Sequence, residues 1–292
     1  MVRSKQNITG YLLLLPIVAL VTIFLLYPFT VAIYSSFFKQ RLGVGEMIFN
    51  GFQNYIDIFQ DEYFLTSCTT TLVWTTGNMA IQMLIPLIIA LLLNRNFIGK
   101  TIVLGIILLP WITPPAGLAM IIKWFLEPQI GIVNAVLRNI GLIHNSINFL
   151  GDPSLALPSL LVVSSWQFAP FGILMMLSAL STIPESCYEA MKVDGANHFQ
   201  ILIHLQMPLI GKMIGFVFFL GFVWTFNKFD LIDITTSGGP LNATLILPQL
   251  IYNKAFESFN TSSAATMSSI VGLFLIAVGI LFFRFVFRTG KS

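Results

Sequence analysis

The chain has 292 residues, of which 56% are hydrophobic and only 9% are charged. Soluble domains carry about 25% charged residues, so this composition excludes a soluble globular protein. The high hydrophobicity also excludes a disordered chain, and two cysteines are too few for a disulfide framework. The net charge of +3 comes without a basic patch interleaved with aromatic residues, so no nucleic-acid surface is predicted. The sequence therefore predicts an integral membrane protein.

Long apolar stretches with few charges predict six transmembrane helices in an all-α fold, since a span needs about 20 apolar residues. We predict one membrane domain over residues 1–292. The predicted spans are 11–38, 66–93, 101–125, 155–182, 209–234 and 263–287. The first stretch follows basic residues, as in a secretory signal, but it shows no convincing cleavage site and is expected to remain as a helix.

The basic residues divide unequally between the two membrane faces, which predicts the orientation of the bundle. Nine fall on the side of the termini: Arg3, Lys5, Arg95, Lys100, Lys192, Lys212, Arg284, Arg288 and Lys291. Six fall on the opposite side: Lys39, Arg41, Lys123, Arg138, Lys228 and Lys254. Both termini are therefore predicted to be cytoplasmic.

The predicted external loops are an amphipathic stretch at 40–62, a longer one at 127–152 and a polar segment at 235–260. Helix breakers also interrupt the spans: Pro86 in the second, Pro110, Pro114 and Pro115 in the third, and Pro170 in the fourth. Such breaks are tolerated where neighbouring helices or a water-filled cavity satisfy the freed backbone groups. They indicate either a transport pathway or an irregularity of packing.

The cytoplasmic loop at 183–207 has the pattern of a helix followed by a second helical piece. Pro184 suits a helix start, and Gly195 can end the helix with a left-handed cap. The second piece is expected from about Asn197, with Pro208 opening the fifth span. From the residues alone, this loop is either an amphipathic helix on the membrane surface or a docking element for a cytoplasmic partner.

The same loop resembles the EAA motif of ABC-importer permeases. The residues that carry the resemblance are Glu189, Ala190, Met191, Asp194, Gly195, Leu205, Met207 and Pro208. Met191 and Met207 depart from the usual motif, both conservatively in volume. The resemblance implies that 183–207 is a coupling loop, which sits in a cleft of an ATP-hydrolysing subunit and transmits its closure to the membrane helices.

A second stretch, TTSGGPLNATLILPQLIYNKAF at 235–256, resembles the GGP segment of permeases for sugars and related solutes. These permeases are of the maltose-transporter F-subunit or glycerol-phosphate-transporter A-subunit kind. The resemblance covers nearly the whole chain and implies the six-span core of a type I ABC-importer permease in a bacterial cytoplasmic membrane. The implied partners are a second, similar permease, two ATP-binding subunits and an extracytoplasmic solute-binding protein.

The chain itself has no G-x-x-x-x-G-K-[ST] phosphate cradle, so no nucleotide site is expected on it. ATP and magnesium are expected on the partner ATPase subunits. No catalytic site, metal site or cofactor is predicted, because no His, Cys and carboxylate set has ligand spacing: His198 and His204 lie six residues apart and face different ways on a helix.

Sugar recognition needs aromatic faces and polar groups, and two predicted spans offer both. By similarity to the maltose permease, the solute contacts are Ser164, Gln167, Phe168 and Phe171 on the fourth span and Gly221, Trp224, Thr225 and Lys228 on the fifth. Trp166 and Asn227 are expected to face elsewhere. The alternative for the aromatic residues is ordinary packing or anchoring at the membrane interface.

Lys228 is informative because an ionisable group within a span is costly and usually faces a cavity or a partner. It either faces the pathway, snorkels to the outer surface, or pairs with Asp230 or Asp233. If it faces the pathway, an anionic solute becomes a hypothesis, such as a uronate oligosaccharide or a phosphorylated polyol.

Two other functions are weighed against the importer. An ion-gradient-driven secondary transporter should show inverted repeats and acidic residues within its spans, and a membrane-embedded enzyme needs a polar constellation at one face. The sequence shows neither pattern.

Overall fold

The computed structural model describes residues 2–41, 44–95 and 97–288. Lys291, counted above on the cytoplasmic side, lies outside these residues. The α-helices are Val2–Val21, Tyr27–Ser36, Gln53–Phe59, Glu62–Leu93, Lys100–Ile112, Pro115–Phe125, Ile132–Asn139, Pro153–Ser181, Glu185–Val193, His198–Ile201, Met207–Phe226, Asp230–Thr235, Leu247–Tyr252 and Thr261–Arg288. Three single π-helical turns occur at Thr22–Leu26, Leu202–Gln206 and Asn253–Glu257.

Helices long and apolar enough to cross a membrane account for all six predicted spans. Five of them in the described chain are Leu12–Ser36, Glu62–Leu93, Pro153–Ser181, His198–Phe226 and Thr261–Arg284. The third span, predicted over 101–125, consists of Lys100–Ile112 and Pro115–Phe125, which meet at a bend of 95°. The all-α fold with up to six spans is confirmed. We refer to these helices below as spans one to six in chain order.

One of the π-helical turns explains how a proline is accommodated within a long helix. Proline lacks an N–H and its ring clashes with the carbonyl four residues earlier, which disrupts a regular α-helix. The turn at Leu202–Gln206 comes directly before Pro208, and Met207 donates its N–H to the carbonyl of Leu202, five residues back. The fifth span therefore does not begin at Pro208 as predicted, because the helical path continues from His198 through this turn.

A small β-hairpin, which the sequence analysis did not predict, follows the first span. Strands Phe38–Arg41 and Val44–Phe49 pair antiparallel, with Phe38 opposite Phe49. Buried Asn54 ties the hairpin to the span, because its Nδ2 donates to the carbonyls of Ser36 at 2.8 Å and Phe38 at 2.9 Å. These bonds satisfy backbone groups where the helix changes into a strand.

The chain divides into two compact units. The first comprises the chain up to Leu65 together with Leu250–Ile280, and the second comprises Thr66–Gln249 together with the chain from Leu281 onward. Two clusters of buried apolar residues belong to the second unit. One is Trp74, Leu118, Ala119, Ile122, Leu160, Val163, Leu231, Ile232 and Ile246. The other is Ala90, Phe168, Met176, Ala179, Leu180, Ile183, Ile210 and Val217.

A close approach of the second and fourth spans gives a stability prediction. A Cβ added to Gly172 would lie 2.9 Å from Pro86 Cβ and 3.0 Å from its Cγ, and the proline ring cannot rotate away. Gly172→Ala should therefore lower the free energy of unfolding by about 1–3 kcal/mol through overpacking. The measurement is the thermal unfolding temperature of the purified protein in detergent.

Gly105→Ala is the matched control, because a Cβ at Gly105 meets no atom within 4 Å. Alanine favours a helix over glycine by about 1 kcal/mol, so this variant should be as stable as the parent or more stable. If the two variants unfold at the same temperature, the tight contact at Gly172 is contradicted.

Candidate functional site

A cavity of about 460 Å³ in the second unit lies among spans two to five. Its polar lining residues are Gln82, Thr113, Ser164, Gln167, Thr225, Asn227, Lys228 and Asp230, and its other lining residues are Trp111, Pro115, Phe168, Val223 and Trp224. A few polar groups among apolar and aromatic walls are typical of a small-molecule site.

The predicted solute contacts come together at this cavity because each set follows one helix face, except for Lys228, which lies two residues beyond the helix that ends at Phe226. Residues 164, 167, 168 and 171, like 221, 224, 225 and 228, have the spacing i, i+3, i+4, i+7. Six of the eight line the cavity, namely Ser164, Gln167, Phe168, Trp224, Thr225 and Lys228. Phe171 packs behind Trp224, with ring centroids 5.0 Å apart. Gly221 lies against Phe168, whose Cζ would be 3.1 Å from an added Cβ.

Four aromatic rings from three spans form one side of the site. Phe171 lies 5.5 Å from Phe168 and 6.0 Å from Trp111, and Phe168 lies 6.0 Å from Trp224, all between ring centroids. Trp111 and Trp224 keep 44% and 45% of their surface exposed, so packing within the chain does not cover their rings completely. Exposed faces of this kind can hold the apolar side of a sugar ring.

Lys228 and Ser164 supply polar groups to the same cavity. The Lys228 Nζ donates a hydrogen bond to Gln167 Oε1. Lys228 forms no ion pair in the part of the chain that the structure describes, and Asp233 instead accepts from Gln249 at 3.0 Å. Neither Asp230 nor Asp233 lies within ion-pair distance of Lys228, although Asp230 lines the same cavity. Ser164 lines the cavity, and its buried Oγ has no hydrogen-bond partner among the described residues.

A buried polar network behind the cavity was missed by the sequence analysis. Gln82 Nε2 donates to Asn78 Oδ1 and to Thr225 Oγ1, both at 3.2 Å. Ser165 Oγ donates to Asn78 Oδ1 at 3.1 Å, and Trp74 Nε1 donates to the Thr225 carbonyl at 3.0 Å. The network joins spans two, four and five and fixes their rotation, because an unpaired polar group here would be costly. The sequence did contain a signal for this network, because the amides of Asn78 and Gln82 lie four residues apart in an apolar span.

The break in span three also contributes lining residues that the sequence analysis did not name. Thr113 is extended, with ψ of 129°, because Pro114 disfavours the α conformation in the residue before it. Helix resumes at Pro115. The break places Trp111, Thr113 and Pro115 on the cavity wall, which is where irregular backbone can be tolerated at membrane depth. Of the two interpretations of these prolines, the pathway is favoured.

Asn227 corrects one expectation, because it lines the cavity rather than facing elsewhere. The fifth-span helix ends at Phe226, and Asn227 is the capping residue, so helical spacing no longer predicts its direction. Trp166 does face away: it lines a separate apolar cavity of about 710 Å³ with Ile85 and Ile106.

The predicted coupling loop has the expected helix and turn. The helix Glu185–Val193 begins after Pro184 and ends in a turn at Gly195, whose φ is +77°. Ala196 donates its N–H to the carbonyl of Met191 at 2.9 Å, which closes the left-handed cap. Asn197 then begins the next helix with a capping box that includes Gln200.

The coupling-loop residues differ in exposure. Glu189, Ala190, Asp194, Gly195 and Pro208 are exposed, whereas Met191, Leu205 and Met207 are half-buried. The inner side of the loop is attached to the spans, because Tyr188 and Leu205 pack on the second apolar cluster. Its free surface can therefore meet another protein while its inner side stays attached to the spans.

The comparisons with known proteins agree with this geometry. Residues 82–289 match the family of binding-protein-dependent transport system inner membrane components. The chain is 32% identical to the sn-glycerol-3-phosphate transport system permease protein UgpA of Yersinia pestis, over 95% of this chain and 94% of the relative. It is 28% identical to a probable ABC transporter permease protein of Brucella suis, over 98% and 100% of the two chains.

A solved structure shares the fold. One chain of a bacterial ABC transporter involved in the import of the acidic polysaccharide alginate superposes with a TM-score of 0.84 at 22% identity, covering 98% of both chains. The inward-facing MetNI methionine ABC transporter superposes with a TM-score of 0.56 at 17% identity, covering 78% of this chain and 96% of the other.

Proposed function

The chain belongs to the family of binding-protein-dependent transport system inner membrane components, and we propose that it carries a carbohydrate or related polyol derivative across the cytoplasmic membrane. One observation carries the solute class: the cavity among spans two to five combines exposed Trp111 and Trp224 rings with Gln167, Ser164 and Lys228. Aromatic faces beside hydroxyl-binding groups suit a sugar or polyol. The named activities of the UgpA and alginate-transporter relatives support the same class.

The work of ATP is assigned to partner subunits. The family comprises membrane components, and this chain carries no phosphate-cradle sequence, so two ATP-binding subunits supply the energy. A second, similar permease completes the pathway, and an extracytoplasmic binding protein delivers the solute to the outward-open state. This assignment argues against the alternative function of an ion-gradient-driven secondary transporter.

The coupling loop converts ATPase closure into movement of the spans. Its exposed residues Glu189, Ala190 and Gly195 dock on the ATPase, while Tyr188 ties the same helix to the membrane core. The proposal has the loop and both termini on the cytoplasmic side, and the excess of basic residues on that side supports it.

Reconstitution tests the proposal. The complex that co-purifies with the chain from its native membrane, reconstituted in proteoliposomes, should hydrolyse ATP faster with its binding protein and the matching sugar or polyol. Solute uptake should need ATP and survive collapse of the ion gradients. Uptake that follows an ion gradient without ATP, or a stimulating solute with no hydroxyl-rich ring or chain, contradicts it.

A further inference from the structure

A third cavity of the same compact unit, of about 720 Å³, lies between the end of span two and the coupling helix Glu185–Val193. Arg95, Lys192 and His198 line it together with a single acidic residue, Glu185. None of these four side chains forms an ion pair with a residue that the structure describes. With Arg95 and Lys192 against one carboxylate, the cavity carries a net positive charge.

Part of the lining of this cavity is apolar. Leu91, Leu92 and Leu180 form this apolar wall, and 65% of the Leu92 surface is exposed. Along span two, the change from Leu92 to Asn94 and Arg95 takes three residues, which is the change expected where hydrocarbon gives way to headgroups. The cavity therefore crosses that boundary, with its apolar wall in the hydrocarbon and its cations at headgroup level.

We propose that this cavity binds an anionic phospholipid of the cytoplasmic leaflet. The phosphate group lies between Arg95 and Lys192, and the acyl chains lie along Leu92 and Leu180. Basic pockets between membrane helices at the cytoplasmic face hold anionic headgroups in this way. The apolar wall favours a lipid over free phosphate, which would leave that wall uncovered. The proposal rests on the assignment of the coupling loop to the cytoplasmic side.

The position of the site links lipid to coupling. Glu185, Tyr188 and Lys192 follow one face of the coupling helix, at spacings of three and four residues, and all three line the cavity. Glu189 and Val193 lie outside the cavity lining, and Val193 is 87% exposed. A bound lipid therefore supports the helix from the membrane side and leaves the ATPase-docking side free.

Native mass spectrometry of the intact complex tests the proposal. The complex is reconstituted in nanodiscs of phosphatidylcholine mixed with phosphatidylglycerol, and the retained lipid is identified. The parent complex should retain phosphatidylglycerol in preference. In Arg95→Gln/Lys192→Gln, this preference should fall by about 30-fold, because each cation at the membrane surface contributes roughly fivefold.

Lys100→Gln/Lys212→Gln is the matched control, because it removes two cations, half-buried Lys100 and exposed Lys212, from the same predicted face but outside this cavity. The control should keep the preference for phosphatidylglycerol. Arg95, Lys192 and Lys212 are exposed and Lys100 is half-buried, so neither variant removes a fully buried group, and neither should disturb folding.

Three outcomes overturn the proposal. An equal loss in both double variants indicates general surface charge rather than a site. Complete displacement of the lipid by inorganic phosphate indicates a site for the free anion. Unchanged lipid with loss of the ATPase subunit from Arg95→Gln/Lys192→Gln indicates that the cavity meets a protein. None of these outcomes contradicts ATP-dependent uptake by the parent complex, which is measured separately, so this proposal and the proposed function can fail separately.

Discussion

Gly195→Val should reduce the solute-stimulated ATPase activity of the reconstituted complex by about tenfold. Gly195 holds φ at +77° in the turn that closes the coupling helix. An L-residue in the left-handed region costs about 1–2 kcal/mol, and a β-branched residue more, which corresponds to a factor of about 5–30 in population. The turn must relax, and Asp194 and Ala196 then leave the positions that Gly195 sets. Docking on the ATPase should weaken along with the activity.

Gly195→Asn separates the effect of backbone conformation at position 195 from the effect of adding a side chain there. A Cβ at Gly195 meets no atom within 4 Å, so space does not distinguish the two substitutions. Asparagine tolerates the left-handed conformation, and Gly195→Asn should retain most of the activity. The measurement is ATPase rate with and without loaded binding protein, together with the amount of ATPase subunit that co-purifies. Equal activity of the valine and asparagine variants would show that the turn geometry does not matter for coupling.

Helical spacing explains why much of the candidate site could be predicted from sequence. Residues at i, i+3, i+4 and i+7 share a face as long as the helix continues, and the structure brings the two faces to one cavity. Lys228 reaches the same cavity although its helix ends at Phe226. The coupling loop was predictable for a similar reason, since Pro184 and Gly195 restrict the backbone to a start and a stop.

Other features depend on packing that no linear pattern contains. The bond between Gln82 and Thr225 joins residues 143 apart and depends on how two helices are rotated. The prolines of span three predict a break but not its angle of 95°, and they do not predict that Pro115–Phe125 packs with Asp230–Thr235 in one apolar cluster. The predicted direction of Asn227 was wrong because the helix ends at Phe226, and helical spacing does not set the direction of a side chain beyond that end.

Lys228→Gln should selectively reduce uptake of acidic solutes. Lys228 is half-buried on the cavity wall, and its Nζ contacts Gln167 rather than a carboxylate, so its charge is available to a solute. A hydrogen bond to a charged group contributes about 1.5–3 kcal/mol, which predicts a loss of roughly 10- to 100-fold in uptake efficiency. Neutral sugars should be affected much less, because glutamine can still donate to a hydroxyl.

Two further variants make the comparison specific. Lys228→Arg keeps the positive charge and should retain uptake of acidic solutes. Lys123→Gln removes a cation that donates to the Ile234 carbonyl at 3.2 Å and does not line the cavity, so it should leave solute preference unchanged. The measurement is competition between an acidic and a neutral solute in proteoliposomes with a fixed binding protein. An equal loss for both solutes in Lys228→Gln would mean that Lys228 shapes the cavity without selecting charge.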